Sequence, residues 1–300
     1  MPARILDGKK LAAQLLAQAK SEVTALKEKG IVPKLVVVQA GQDGASTIYV
    51  EKKHRACIDA GMASEIKRFA EYVSEEIFLA EIRRLNQDSK VHGILVQLPL
   101  PKHISEEKVL EAVDPSKDVD GFHPTNQGKG FFGAGALRPA TPAGIMRLLE
   151  ETGVKLEGKN AVVLGRSNIV GKPVALMLIN AGCTVTVCNS KTKNIADFTK
   201  MADIIISATG KPGLIAARMV KKGAIVVDVG INRIEEPTGG NGKEAGAKGN
   251  AKKIVGDVDF EGVRKKAGWI TPVPGGVGPM TIANVILNTL KACKRQQGPS

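Results

Sequence analysis

The stretch Ala161-Val162-Val163-Leu164-Gly165-Arg166-Ser167-Asn168-Ile169-Val170-Gly171 decides how this chain is read. Its opening apolar residues read as a strand covered on both faces. Gly165 permits a tight turn at the strand end, and Gly171 lets the following helix approach the strand closely. The start of that helix offers N–H groups and a positive dipole end to a pyrophosphate. The spacing is G-x5-G rather than G-x-G-x-x-G, so the turn alone is also compatible with a structural role. A second strand, Thr184-Val185-Thr186-Val187, leads into Cys188-Asn189-Ser190-Lys191-Thr192. An NAD-specific unit places a carboxylate near this point, on the ribose 2′-hydroxyl. None is present, and Arg166, Ser190 and Lys191 can receive a 2′-phosphate instead. The expected cofactor is therefore NADP. The alternative is that Arg166 and Lys191 are ordinary exposed cations.

Outward from this turn, Thr141-Pro142 reads as a cap and first helical residue, opening a helix to Glu151. Further strands read at residues 204–206 and 224–228, and an amphipathic helix reads from Thr281 to about Arg295. Toward the N-terminus, Leu11, Leu15, Leu16, Val23 and Leu26 recur at helical spacing before Gly30. Strands read at 35–39, 66–69 and 93–98, the last halted by Pro99 and Pro101. Between them, Ser46 is read as capping a helix that runs to about Ala60 and ends at Gly61. Ser74 opens another helix, carrying Ile77, Ile82 and Leu85. Strands alternating with helices imply parallel pairing, so the fold class is α/β with a second unit beginning at Pro139. The Gly/Lys-rich stretch at 237–252 reads as a mobile surface loop.

The 300 residues suffice for two ordinary domains. A net charge of +13 favours an anionic partner: nucleic acid, an acidic membrane surface or a polyanionic small molecule. Aromatic residues at 3% supply too few stacking platforms for a single-stranded nucleic-acid binder, and no recognition motif is present. Cys57, Cys183, Cys188 and Cys293 are scattered, which argues against both a metal site and a disulfide framework. The first ten residues lack an apolar core or a transit pattern, and no apolar run reaches the roughly 18 residues of a membrane span. A cytosolic chain without membrane contact is expected.

Three other stretches carry candidate chemistry. Tyr49 and Lys53 sit at i and i+4 on one helix face, after the C-terminal end of a strand, where α/β sheets bind ligands. Tyr49 can stack on a flat ring, and Lys53 can serve as a charge or a proton carrier. The pair can equally be incidental. Val96-Gln97-Leu98-Pro99 ends a buried strand with a polar residue, and Lys117-Asp118-Val119-Asp120-Gly121 puts two carboxylates beside a turn. One carboxylate can accept from a heterocycle's N–H groups, or both can serve the turn. Finally, Thr271-Pro272-Val273-Pro274-Gly275-Gly276-Val277-Gly278-Pro279-Met280 precedes the last helix as a rigid loop or connector.

Together these motifs, in order over essentially the whole chain, resemble the bifunctional methylenetetrahydrofolate dehydrogenase/cyclohydrolase family. The long proline and glycine motif before the last helix is the most specific of them. The resemblance implies two α/β domains, residues 1–138 and 139–280, with the helix at 281–296 returning to the first. The second would be a Rossmann-type NADP-binding domain, with the active site in the cleft between. It implies NADP-dependent oxidation of 5,10-methylenetetrahydrofolate, then hydrolysis of the methenyl product to 10-formyltetrahydrofolate. Lys53 would move the proton, tuned by Gln97. Tyr49 would stack on the folate and Asp120 would hold the pterin. Val96, Leu98, Pro272, Gly275 and Gly276 would line the folate pocket. Gly165, Arg166, Ser167, Gly171, Ser190 and Ile231 would meet NADP. No metal is implied, homodimers form through the NADP domain, and the basic charge suits a polyglutamylated folate. A monofunctional dehydrogenase in the same fold is the second reading. Pro139-Ala140-Thr141-Pro142 departs from the family's Pro-Cys-Thr-Pro, and Asn189-Ser190 stands where His or Arg is frequent.

Overall fold

A computed structural model describes residues 1–41, 44–133, 135–235 and 252–298. The chain opens with β1 (Arg4–Ile5) and α1 (Gly8–Glu28), whose Asp7 side chain accepts from Lys10 N and caps the helix. A parallel sheet follows, built from β2 (Lys34–Ala40), β3 (Ala63–Phe69) and β4 (Gly93–Val96) in the order β3-β2-β4. Its crossovers are α2 (Gly44–Asp59) and α3 (Glu75–Gln87). Ser74 caps α3 as expected, accepting from Ile77 N at 3.3 Å, but the buried face carries Phe78 with Ile82 and Leu85 while Ile77 is exposed. Ser46 lies inside α2, not at its start. Short helices α4 (Glu106–Ala112) and α5 (Pro124–Phe131) lead to α6 (Ala140–Glu150). Thr141 does not cap α6; it lies in the first turn, and its hydroxyl meets that of Thr281 at 2.9 Å.

The second sheet holds β5 (Asn160–Leu164), β6 (Thr184–Cys188), β7 (Ile204–Ser207), β8 (Ile225–Asp228) and β11 (Trp269–Ile270). Its order is β1-β11-β8-β7-β5-β6, parallel throughout. The two-residue strands β1 and β11 were not anticipated, and β1 brings the N-terminus into this sheet, away from the first one. Helices α7 (Gly171–Asn180), α8 (Ile195–Thr199) and α9 (Phe260–Arg264) flank it. Strands β9 (Asn232–Glu235) and β10 (Lys252–Val255) pair antiparallel. The surface loop expected at 237–252 lies outside the described residues except at its last position, Lys252, which opens β10.

The last helix, α10 (Val277–Gln296), begins four residues before the expected Thr281. It packs on α6 and α1 and contributes Val285, Ile286 and Leu290 to the core beneath the first sheet. Its start contributes Val277, Met280 and Ala283 to the core of the second. Both sheets therefore share one helical layer. Burying a Leu or Ile side chain stabilises by about 1.5–3 kcal/mol, so α10 ties the two halves together through apolar area.

Candidate active site

The first wall of the site is built on α2 and the end of β4. Val50, Lys53, Cys57 and Ala60 are buried, and the first three of them fall on one face of α2. Sharing that inward face, Lys53 is only 6% exposed. Its Nζ donates to Gln97 Oε1 at 3.2 Å. Gln97 Nε2 in turn donates to the Leu98 carbonyl at 2.6 Å, so the amide oxygen is turned toward the amine. Gln97 N also continues the sheet one residue past β4 by donating to Val38 O at 2.8 Å. Val96 is buried with Val38 and Phe78, so what it can offer a ligand is its main chain. Leu98 packs at the edge of the same core. The Leu98–Pro99 bond is cis.

Asp120 is 9% exposed. Burial raises its carboxyl above the ordinary carboxylate range, the Lys53 charge pulls it back, and Asp118 pushes it further up. Asp118 has a different task. It accepts from Gly121 N at 3.0 Å, His123 N at 2.8 Å and Asn126 Nδ2 at 2.9 Å, and so shapes the turn that presents Asp120. Gly121 has φ +74°, and an added Cβ would stand 2.5 Å from Pro139 N. The two carboxylates read together in the sequence thus divide into one that builds the loop and one that faces Lys53.

Tyr49 lies one turn before Lys53 and is half-buried. Burial raises its hydroxyl, and the positive charge of Arg233 on β9 opposes this. The Lys52 amine lies 5.8 Å from the Tyr49 ring centre. Facing Tyr49 is a cavity of about 220 Å³, lined also by Asp228, Ile231, Pro272, Gly275 and Gly276. Two backbone bonds hold the loop in place: Gly276 N donates to Pro272 O at 2.8 Å and Lys9 N to Gly275 O at 2.9 Å. The cavity thus gathers Ile231, expected on the cofactor, with the residues expected on folate.

The nucleotide turn forms as the motif implies. Gly165 has φ +115°, and an added Cβ would stand 2.3 Å from Ala208 O; at Gly171 it would stand 2.3 Å from Gly165 O. Ser167 Oγ accepts from Val170 N at 3.2 Å and Gly171 N at 3.3 Å, so it occupies N–H groups expected to be free for a ligand. Beside the turn opens a cavity of about 670 Å³, lined by Gly165, Arg166, Asn189, Ser190, Lys211 and Arg218 among others, and by no carboxylate. Lys191 does not line it. Among the described residues, Arg166, Lys211 and Arg218 make no ion pair. Unpaired cations around a cradle that a single methyl would fill suit the phosphates of NADP.

Lys211 and Arg218 were missed in the sequence, although Lys211 follows the end of β7 as Ser190 follows the end of β6. Asp257 was also missed. It is fully buried and accepts from Thr209 N at 2.7 Å, Gly210 N at 3.2 Å and Asn232 Nδ2 at 2.9 Å, tying the nucleotide loop to β9. A larger cavity of about 790 Å³, bordered by Arg138, Arg147 and Lys291, shares no lining residue with either site cavity. Among the described residues no His/Cys/Asp/Glu group could hold a metal ion, and no helix is long and apolar enough to cross a membrane.

A parallel dinucleotide sheet set beside a buried Lys–Gln–Asp group defines a two-domain oxidoreductase that works with a nicotinamide dinucleotide. Family models place it further. Residues 6–120 match the tetrahydrofolate dehydrogenase/cyclohydrolase catalytic domain, and residues 139–297 match the NAD(P)-binding domain of the same name. The chain belongs to the tetrahydrofolate dehydrogenase/cyclohydrolase family. It is 53% identical to the bifunctional protein FolD of Moorella thermoacetica over 98% of this chain and all of that one. The crystal structure of the bifunctional FolD enzyme of Campylobacter jejuni is 48% identical, with a TM-score of 0.91 over 98% of this chain and 99% of that one. The Trypanosoma brucei enzyme, complexed with NADP cofactor and inhibitor, is 37% identical, with a TM-score of 0.93 over the full length of both chains.

Proposed function

We infer that this chain oxidises 5,10-methylenetetrahydrofolate with NADP and then hydrolyses 5,10-methenyltetrahydrofolate to 10-formyltetrahydrofolate in one cleft. The observation that carries this reading is the buried Lys53 amine, held by Gln97 and facing Asp120.

NADP, when bound, accepts the hydride from the carbon between the two folate nitrogens. Nitrogen lone pairs stabilise the cation left behind, so the step needs orientation more than a protein acid or base. Tyr49 stacks on the folate, Asp120 accepts from the pterin N–H groups, and Pro272, Gly275 and Gly276 close the pocket with Val96 and Leu98 at its edge. Gly165 and Gly171 let the backbone approach the pyrophosphate, and Ser167 fixes the turn. Arg166 and Ser190 take the 2′-phosphate, and Ile231 lies against the nicotinamide end. In the second step water bonds to the cationic carbon and loses a proton. The C–N5 bond then breaks as the hydroxyl left on that carbon gives up its proton to become the formyl C=O, and N5 gains a proton, so one proton is released overall. Lys53 carries these protons, with Gln97 holding its amine in place.

The chain divides at residues 138 and 139, and the helix at 281–296 returns to the first domain. Support comes from α10, which packs on α1 as well as α6. The protein works as a homodimer through its NADP domain. Strand β6 lies at one end of its sheet, and Val187 on it and Ile179 on α7, which packs against it, are exposed, the kind of edge a second copy covers. Four buried, unpaired cysteines suit a cytoplasmic setting. The folate is polyglutamylated in the cell.

Purified protein given methylenetetrahydrofolate is expected to reduce NADP faster than NAD and to end at the 10-formyl product. Accumulation of the methenyl species without hydrolysis would favour the monofunctional reading.

A further inference from the structure

The cavity of about 790 Å³ bordered by Arg138 is a groove between α6 and α10, in the helical layer that both sheets share. Its size is that of a small-molecule site. The walls follow helical spacing, with Met146, Arg147 and Glu150 on α6 and Leu287, Lys291 and Arg295 on α10. Met146 is buried and Leu287 partly buried, which gives the groove an apolar floor.

The charges above this floor are unbalanced. Glu22 is answered by Lys294. Among the described residues Arg138, Arg147, Lys291 and Arg295 make no ion pair, and neither does Glu150, the other carboxylate of the lining. The groove therefore carries an excess of three positive charges. Three of the cations are anchored: Arg147 Nε donates to Asn284 Oδ1 at 3.2 Å, Lys291 Nζ to Ala136 O at 3.0 Å, and Arg295 to Gly135 O. Burial lowers the Lys291 amine below the ordinary lysine value, and the charges of Arg295 and Arg138 push it further down. Cations crowded in this way are stabilised by an anion that bridges them.

The groove opens into a smaller hollow of about 220 Å³, and Arg138, Met146 and Glu150 line both. The hollow has a different character. Pro173, Leu176 and Met177 of α7 line it together with Met146. Two amides complete it: Gln127 Nε2 donates to Gly121 O at 3.0 Å and Asn180 Nδ2 to Gly130 O at 3.1 Å, which leaves both side-chain carbonyls as acceptors. Neither the groove nor the hollow shares a lining residue with the dinucleotide cavity or with the cavity at Tyr49.

We propose that groove and hollow together form a binding site for a nucleoside triphosphate, separate from the dinucleotide cavity. The phosphates lie among Arg138, Arg147, Lys291 and Arg295. The base lies in the hollow against Met146, Leu176 and Met177, with Gln127 and Asn180 to accept from its N–H groups. Glu150 stands where the two spaces meet, the position of the ribose, and a carboxylate there accepts from ribose hydroxyls. A free oligophosphate would leave the hollow empty, and an uncharged nucleoside would leave the cations unanswered.

The test is equilibrium binding of ATP, GTP, tripolyphosphate and adenosine to the full chain, with NADP at saturation so that the dinucleotide cavity is filled. At low salt at least one of the two nucleotides should bind, about tenfold tighter than tripolyphosphate, and adenosine should not bind measurably. Affinity should fall as salt is raised. An Arg147→Glu/Lys291→Glu double variant should weaken nucleotide binding at least tenfold, because each reversal removes a charge-assisted contact. The milder Arg147→Gln/Lys291→Gln pair should weaken it several-fold and leave NADP reduction at the wild-type rate, which separates a lost contact from a lost fold. Leu176→Asp should weaken the nucleotide more than it weakens tripolyphosphate. Failure of both nucleotides to bind the wild type, or an affinity unchanged in the Gln pair, would overturn the site. Tripolyphosphate binding as tightly as the nucleotides would overturn the assignment to a nucleoside triphosphate.

Discussion

In a Lys53→Met variant the amine that donates to Gln97 Oε1 at 3.2 Å is gone, while a side chain of similar length still fills the buried face of α2 beside Val50 and Cys57. The two steps of the reaction should respond differently. Proton transfer by a positioned group contributes roughly 10²–10⁴-fold, so hydrolysis of added methenyltetrahydrofolate should fall about a thousandfold, or about 4 kcal/mol of barrier. Hydride transfer needs no protein acid or base, so NADP reduction should stay within about tenfold of wild type. Stability should change little. Gln97 Oε1 loses a donor, at a cost of about 1 kcal/mol, but the burial of an amine that Lys53 demands is relieved. A shift in Tm of only a few degrees follows for a chain of this size. The assay follows decay of methenyl absorbance and formation of NADPH on one preparation, with Tm measured beside them. Full cyclohydrolase activity in the variant, or an equal loss of both activities, would refute the role given to Lys53.

Other consequences are equally direct. Burial raises the Asp120 carboxyl and Lys53 opposes that rise, so the acid limb of kcat/KM for the dehydrogenase should lie above the ordinary aspartate range and move to higher pH in Lys53→Met; a downward move would contradict the geometry. Because folding raises this carboxyl, its contribution to stability is complete below the ordinary aspartate value and is lost as pH rises through the raised one. Arg166→Ala should raise the KM for NADP about tenfold or more and spare NAD, since a charge-assisted bond to the 2′-phosphate is worth roughly 1.5–3 kcal/mol; equal effects on both cofactors would cancel that assignment. Asp118→Asn should lower stability by about 2–3 kcal/mol by chemical denaturation, because an amide set among the Gly121, His123 and Asn126 donors places one N–H against another. It should also raise the KM for folate, and an unchanged denaturation midpoint would show that the turn does not depend on Asp118.

What the sequence makes legible is what has a period or a steric necessity behind it. Val36, Val37 and Val38 lie in a strand covered on both faces, so an unbroken apolar run is the only pattern that fits it. Gly165 and Gly171 are equally readable, since the backbone closes to within a methyl of itself at both. Strands β1 and β11 are two residues long, too short for any periodicity, and form by pairing across the chain, β11 on β8 and β1 on β11. Asp257 looks like any turn aspartate in sequence; its role as the tie between the β7 loop and β9 depends on Thr209, 48 positions away, and Asn232, 25 positions away. Lys53 and Gln97 are 44 residues apart, and the resemblance rather than any spacing put them together before the structure did. Ser167 is expected to meet the cofactor, and the sequence does not show that its oxygen also accepts from Val170 N and Gly171 N, which leaves its hydroxyl hydrogen to donate.

The division of labour between the two sheets has a chemical basis. The first reaction asks for two flat rings held face to face and nothing that moves a proton, and the side of the cleft that meets that need is the Gly165 turn and the cationic cavity beside it. The second reaction asks for a group that can give and take a proton within reach of one carbon, and that group sits on the other sheet, on an α2 face already committed to the core. Had Lys53 been placed on a surface loop, its amine would have been free to leave the reacting carbon between the two steps. Buried beside Val50 and Cys57 and bonded to an amide that is itself bonded to Leu98, it cannot do so. It follows that variants on the two walls should separate the activities: those around Arg166 should slow the first step while sparing hydrolysis of added methenyltetrahydrofolate, and those around Lys53 should do the reverse. Asp120 is the exception, because both steps need the pterin held, and its replacement should damage the two together.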